Sequence, residues 1–333
     1  MRDVESMKLS PPVELRTGAF VVSMDFELAW GTRGRHWDGR IDCDLEGTRP
    51  AIQDLLSLFR EFDVSATWVV VGGLFLGGAT RHPWLADPQF DDVPLGDCRS
   101  HPHWYANDVL ELLQSAAPAQ DIGCHTLTHA FVQDTDDGRN QFDIELVRSV
   151  ELFESLGLPR PRSFIFPKHY MAHFDLLRRH GFECYRGPEA GWFEHLPTKS
   201  LKAVGRLAST RMRQSPSVRY PTRDSDGLWV IPSSQFYPSF RSVGRWISVA
   251  DRVARAIKGI NLAADKRGVF HLWTHPFNLG VRSSELIHGI RDVLVHADRL
   301  RKQGLLENYS MSAMTKMLDA TACDQSEQTC STI

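Results

Sequence analysis

The chain has 333 residues, 42% apolar and 24% charged, with a formal net charge of −3. That composition is ordinary for a globular protein and carries no basic footprint for nucleic acid. No stretch reaches the roughly 18 consecutive apolar residues of a membrane span.

Length alone allows about two domains, but a barrel of roughly 250 residues counts as one. The opening run, Met1-Arg2-Asp3-Val4-Glu5-Ser6-Met7-Lys8, contains acidic residues and lacks an apolar core, unlike a secretory signal. Six widely spaced cysteines, Cys43, Cys98, Cys124, Cys184, Cys323 and Cys330, form no C-x-x-C pair. This argues against a disulfide framework or a cysteine zinc site, and a cytoplasmic setting is expected.

Residues 1–17 read as a loose lead-in broken at Pro11-Pro12. A buried strand is expected over Ala19–Met24. Arg49–Phe62 follows as a helix, with Ile52, Leu55, Leu56 and Phe59 at helical spacing. Further strands are expected at Ser65–Val71, Asp121–Cys124, Ser163–Phe166, Glu183–Arg186, Leu228–Pro232 and Gly268–Thr274. Between and after them, helices are expected at Val109–Ser115, Phe142–Leu156, Phe174–His180 and, as a long final helix, Ser284–Gln303. The tail 320–333 is polar and is read with 1–17 as a flexible terminus. Strand–helix alternation of this kind argues for a parallel sheet, open or closed into a barrel. Two long connections stand out: 72–105, rich in Pro, Gly, His and Trp, and 188–227, rich in Arg and Ser. Such segments are either binding loops or solvated insertions.

In a parallel α/β sheet, functional groups gather past the C-terminal ends of the strands. Asp25 and Glu27 follow the first strand, His125 and His129 the third, and Pro167-Lys168-His169-Tyr170 the fourth. Arg186 follows the fifth, and His275 follows Trp273 on the last. His at i and i+4 can grip one ion if the backbone makes a helical turn there, and a carboxylate with two imidazoles suits a catalytic divalent metal.

These motifs resemble the polysaccharide deacetylases of the NodB-homology type, carbohydrate esterase family 4, over roughly Phe20 to Leu318. The resemblance rests on Met24-Asp25-Phe26-Glu27, Ser65-Ala66-Thr67-Trp68, His125-Thr126-Leu127-Thr128-His129, Phe164-Ile165-Phe166-Pro167 and Leu272-Trp273-Thr274-His275, in that order. It implies a distorted (β/α) barrel of about seven parallel strands, with one catalytic domain over 18–319 carrying insertions near 72–105 and 188–227. It also implies metal-dependent removal of an N-acyl group from an amino sugar. The metal would be Zn, with Co, Ni, Fe or Mn also compatible.

The residues fit that chemistry. His125, His129 and Glu27 would hold the ion, Asp25 would be the general base, and His275 the general acid. The reverse assignment, with Asp25 as ligand and Glu27 as spectator, is the alternative. Residues 25 and 27 share a strand face, so one could act while the other grips. Pro167, Lys168, His169, Tyr170, Arg186 and Trp273 are candidates for substrate or oxyanion contacts, with backbone N–H groups near Tyr170 as donors. His271 reads as a satisfied core histidine and Cys124 as an inert buried thiol. Two departures matter. The family's Asp-Asp is Asp-Phe-Glu here, and the arginine of its Arg-x-Pro motif is Ile165; Lys168 or Arg186 is left to supply the charge. The aromatic 72–105 segment is either a sugar-stacking wall of His82, Trp84, His103, Trp104 and Tyr105 or a self-packed excursion. The expected substrate is a carbohydrate: a soluble, nucleotide-linked or lipid-linked amino sugar. The rival readings are a cyclic amide or ureide hydrolase of the allantoinase type, and a non-catalytic sugar-binding protein with a decayed site.

Overall fold

Strand β1, Gly18–Phe26, sets the layout because its buried side chains divide by parity. Phe20, Val22, Met24 and Phe26 join the outer core between sheet and helices, whereas Ala19 and Val21 face a separate apolar cluster inside the sheet's curl. Ser23 and Asp25 continue that inward row toward the strand's C-terminal end. The structure, a computed structural model, describes residues 9–33, 45–189, 191–216 and 218–330.

The remaining strands are β2 (Thr67–Val70), β3 (Asp121–Cys124), β4 (Ser163–Phe164), β5 (Cys184–Glu189), β6 (Thr222–Arg223), β7 (Trp229–Ser233), β8 (Gln235–Phe236), β9 (Val269–Thr274) and β10 (Leu306–Tyr309). They form one sheet in the order β6-β7-β5-β4-β3-β2-β1-β9-β8, with β10 on β1. Among the described strands, only the β6–β7 pairing is antiparallel. β7 bonds to β5, and β8 begins one residue after β7 and bonds to β9. The sheet therefore curls until its ends share one bent segment, a distorted barrel of seven parallel strands when β7 and β8 count as one. β1 is split along one edge: β10 pairs with Gly18–Val21 and β2 with Ser23–Phe26. Asn308 spans that split, donating to Phe20 O at 3.1 Å and accepting from Ser65 N at 2.8 Å.

Helices α1 (Thr48–Glu61), α2 (Asn107–Gln114), α3 (Asp136–Ser155), α4 (Phe174–Arg179), α5 (Lys199–Arg211), α6 (Val249–Lys266), α7 (Ser283–Lys302) and α8 (Met311–Cys330) accompany the sheet. Among the described residues, no helix is long and apolar enough to cross a membrane. The expected long helix near 284–303 is α7, but it is not the last. Helix α8 follows, and its Met311, Met314 and Leu318 plug the lower end of the barrel against Ala19, Val21, Val269 and Trp229. Asp121 locks this floor by accepting from Thr67 Oγ1 (2.9 Å), Ser163 Oγ (2.8 Å) and the Ser312 N–H (3.3 Å). An anionic side chain at a helix N-terminus satisfies otherwise orphaned donors.

The stretch expected as a loose lead-in is tied down over part of its length. Ser10, Val13 and Leu15 donate backbone N–H groups to Arg223, Pro221 and Arg267 carbonyls. Residues 1–8 and 331–333 lie outside the described residues, as do Cys43 and the side chains of Cys323 and Cys330. Cys98, Cys124 and Cys184 are free thiols.

Candidate metal centre

The two histidines do not come from a helical turn. Residues 125–131 form an irregular loop in which Thr126 (φ 63°) and His129 (φ 60°) adopt left-handed backbone. That conformation is strained for a β-branched threonine, and such strain clusters at functional sites. The surroundings impose it. Gly72 and Gly73 donate to the Thr126 and Leu127 carbonyls, and His125 N–H donates to Val70 O at 2.9 Å. From α3, the buried Glu145 carboxylate accepts from Thr128 N–H at 2.8 Å and Thr128 Oγ1 at 2.7 Å. Thr126 Oγ1 accepts from Ala130 N–H at 3.2 Å.

This loop aims both imidazoles at Glu27, which follows β1. Glu27 Oε2 lies 2.9 Å from His129 Nε2 and 3.4 Å from His125 Nε2. His125 Nδ1 lies 2.7 Å from Ile165 O. A carbonyl can only accept, so Nδ1 carries the proton and Nε2 keeps its lone pair for a ligand role. Burial lowers the pKa of His129 despite Glu27, which favours the neutral, ligating form. The ligand atoms of Glu27, His125 and His129 all lie within 4.8 Å of one another. Four-coordinate ligands at zinc-like bond lengths stand roughly 3.4 Å apart, so this buried donor set fits a divalent cation. Gly31 makes room for it, because a Cβ there would lie 2.0 Å from the Glu27 carboxylate.

Asp25 stands beside this set and is paired differently. Its two oxygens accept from Arg186 Nη1 and Nη2, each at 2.7 Å. Burial opposes ionisation of Asp25, but the charge and paired hydrogen bonds of Arg186 outweigh it and hold the pKa at about 2. Arg186 also donates to Ser23 Oγ at 3.0 Å. Ser23 Oγ lies 2.8 Å from His271 Nε2, and His271 Nδ1 lies 3.2 Å from Pro232 O. Carbonyl geometry places the His271 proton on Nδ1, so Ser23 donates to Nε2 while accepting from Arg186. His271 is thus a satisfied core histidine, as expected, and its row orients the arginine that orients Asp25. The charge missing at Ile165 is supplied by Arg186, not Lys168. His275 Nε2 lies 3.5 Å from Glu27 Oε1 and 3.9 Å from Asp25 Oδ2, while its Nδ1 contacts Asn278 Nδ2 at 3.2 Å.

These groups open into a cavity of about 750 Å³. Of the candidate substrate residues, Lys168, His169, Arg186 and Trp273 line it, and Pro167 and Tyr170 do not. The Tyr170 N–H is spent on Pro167 O and the His169 N–H on Phe166 O, both at 3.1 Å, so this turn supplies no backbone oxyanion donors from those two groups. Among the described residues, none of 72–105 or 188–227 lines the cavity. The first segment braces the site from behind: Trp104 packs edge-on against Trp30 at 5.7 Å, and Ala29 N–H donates to His103 O. It is a structural excursion packed on the barrel, and its described residues form no sugar-stacking wall in this cavity. The outer wall comes instead from 236–245, of which the sequence carried no sign, and from Phe277, beside His275. Glu145 was also missed, and Ser23 and Asn278 carried no role in the sequence reading. Cys124 is buried, and burial pushes its thiol up to about 12, too high for a nucleophile.

The fold and the site together define an α/β barrel with a carboxylate–imidazole donor set at the C-terminal rim of its strands. The sequence matches no described protein family and no curated protein. Solved structures do share the fold. A candidate polysaccharide deacetylase from Mycobacterium smegmatis aligns with 95% of this chain and 96% of its own, at 18% identity and a TM-score of 0.61. A GH57-type branching enzyme from Pyrococcus horikoshii aligns with 90% of this chain and 69% of its own, at 12% identity and a TM-score of 0.50. An α-amylase from Thermotoga maritima aligns with 91% of this chain and 75% of its own, at 11% identity and a TM-score of 0.50. The chain therefore has the barrel fold of the NodB-type deacetylases. Proteins named for different activities share this fold, so the reaction is set by the site.

Proposed function

We propose that this chain is a metal-dependent hydrolase that removes an N-acyl group, with acetyl the first candidate, from an amino sugar. One observation carries the reading: Glu27, His125 and His129 converge beside an Arg186-held Asp25 and His275 at the end of one cavity. The fold shared with the Mycobacterium smegmatis protein supports it. We read 18–319 as the catalytic unit.

Glu27, His125 and His129 would hold the ion, with Zn²⁺ the best match to one carboxylate and two imidazoles. Such an ion acidifies water and polarises an acyl carbonyl. Asp25, ionised across the neutral range, takes the proton of the attacking water. Arg186 holds that carboxylate in place and ionised through both of its oxygens. His275 Nε2 gives a proton to the departing nitrogen as the C–N bond breaks, leaving a carboxylate and a free amine. The assignment of Glu27 as ligand and Asp25 as base follows from their partners: imidazoles surround one, and a guanidinium grips both oxygens of the other.

A decayed sugar-binding site loses its main support, because the missing motif charge is present as Arg186. A cyclic amide hydrolase would use the same groups and differs in its products. Freshly purified protein is expected to contain one divalent ion per chain by elemental analysis and to release acetate from an N-acetylated sugar. His125→Ala should abolish both. Full activity in the His125→Ala and His129→Ala variants, or ring opening of ureides without acetate release, would overturn the reading.

A further inference from the structure

The charge and donor pattern of the cavity goes beyond the acyl-transfer chemistry. The whole chain is slightly acidic, yet among the described residues the cavity lining carries four cationic side chains, Lys168, Arg186, Arg241 and Arg245, against two carboxylates, Asp25 and Glu27. Arg186 and Asp25 neutralise each other. Lys168 rises from the turn after β4, and Arg241 and Arg245 come from the segment after β8, away from the donor set in sequence.

A second, independent observation points the same way. Trp273 Nε1 is buried and has no hydrogen-bond partner, and neither has Arg186 Nε. Trp273 is 7% exposed and Arg186 1%, and the guanidinium lies 4.1 Å from the indole ring. Buried donors left unmatched are costly, and a native site that keeps them offers them to a ligand or to water. Their surplus calls for a ligand rich in acceptor oxygens. The cavity volume lies within the range of ligand pockets, roughly 300–1,000 Å³, and exceeds what an acyl group alone occupies.

We infer that the substrate is an acylated amino sugar carrying a separate anionic group, a phosphate or a carboxylate, which Lys168, Arg241 and Arg245 attract while the acyl group lies at the metal set. The inference rests on the deacylase reading. Arginine suits this task because its planar fork matches phosphate and carboxylate oxygens, and a low-dielectric cleft concentrates the field of several like charges.

Binding to the chelator-treated full chain tests it, since phosphate then has no ion to ligate. The four probes are N-acetylglucosamine, its 1-phosphate, its 6-phosphate, and N-acetylmuramic acid, titrated calorimetrically at low salt. At least one anionic sugar should bind tenfold or more tightly than the neutral one, and the three anionic arms separate phosphate from carboxylate and locate the charge. The preference should shrink toward unity in the Arg241→Gln/Arg245→Gln variant and weaken in the unaltered chain as salt is raised. Equal binding of all four, binding of none, or a preference that survives the double substitution overturns the anionic subsite. Acetate release from each sugar by the zinc-loaded chain separates the two readings. Efficient turnover with no anion preference sinks the subsite alone. Arginine-dependent anion binding without acetate release from any sugar sinks the deacylase reading alone.

Discussion

At the scale of single residues, the decisive feature is that the two acids of the site have different partners. Glu27 sits among imidazoles and Asp25 in the fork of Arg186. Removing the fork leaves Asp25 buried and unpaired, which typically costs about 3–5 kcal/mol. Burial alone then pushes its pKa up. Arg186→Met should therefore lower the urea midpoint and move the acid limb of the kcat/KM profile to higher pH, because a base must be ionised to act. Arg186→Lys, keeping charge but losing the two-pronged geometry, should fall between. An acid limb unchanged in both variants would remove Asp25 from the base role. Motif order in the sequence was enough to find Asp25, Glu27, His125, His129 and His275. It left the missing arginine open between Lys168 and Arg186. Strand parity decides it: Arg186 lies two residues after the inward-facing Cys184, whereas Lys168 lies beyond the end of β4 in a turn with left-handed backbone.

At the scale of elements, a loop holds the metal set and a helix holds the loop. Glu145 on α3 binds both the N–H and the hydroxyl of Thr128, one residue before His129. Groups that orient metal ligands are typically worth about 10–100-fold in metal affinity. Glu145→Gln should weaken zinc binding by about that factor in a competition titration with a chromophoric chelator, with little loss of secondary structure; unaltered affinity would make Glu145 only a packing residue. Nothing in the sequence flags Glu145, because a helical glutamate 17 positions away reads as a solvated face. The left-handed Thr126 and His129 were equally hidden, since residue type argues against that backbone. Most strands were legible from their apolar runs and β-branched content. Helices α5 and α6 were not: α5 lies within 188–227, read as an Arg- and Ser-rich connection, and α6 is interrupted by charge. Strand β8 has only two residues, too few for any periodic signal. Helix α8 was missed because its apolar residues Met311, Met314 and Leu318 fill only the first two turns, and the rest is polar.

At the scale of the molecule, the barrel stacks an apolar floor, then a buried polar row, then the site. That order has a consequence for acid stability. Burial, reinforced by Arg186, holds His271 at about 3, and burial does the same for the half-buried His169. A free imidazole titrates near 6.5. Between those values the unfolded chain binds protons that the folded chain does not, so unfolding becomes easier as pH falls. The stability held by a neutral buried histidine is complete above about 6.5 and declines by about 1.4 kcal/mol per pH unit per group on the way to 3. Asp25 adds to this only at lower pH. Its folded pKa of about 2 lies below the free value, so its contribution is complete above about 4 and is lost as pH falls toward 2. For the chelator-treated chain, where ion release plays no part, the urea midpoint should fall steadily from pH 7 to pH 4 at constant m. His271→Gln removes one of the titrating groups and should make that decline shallower by about one proton's worth of slope, whatever it does to stability at pH 7. An identical slope in the variant would mean that His271 is protonated alike in the folded and unfolded chain. The row running from Pro232 through His271 and Ser23 to Arg186 would then need a different proton arrangement from the one its carbonyl end dictates.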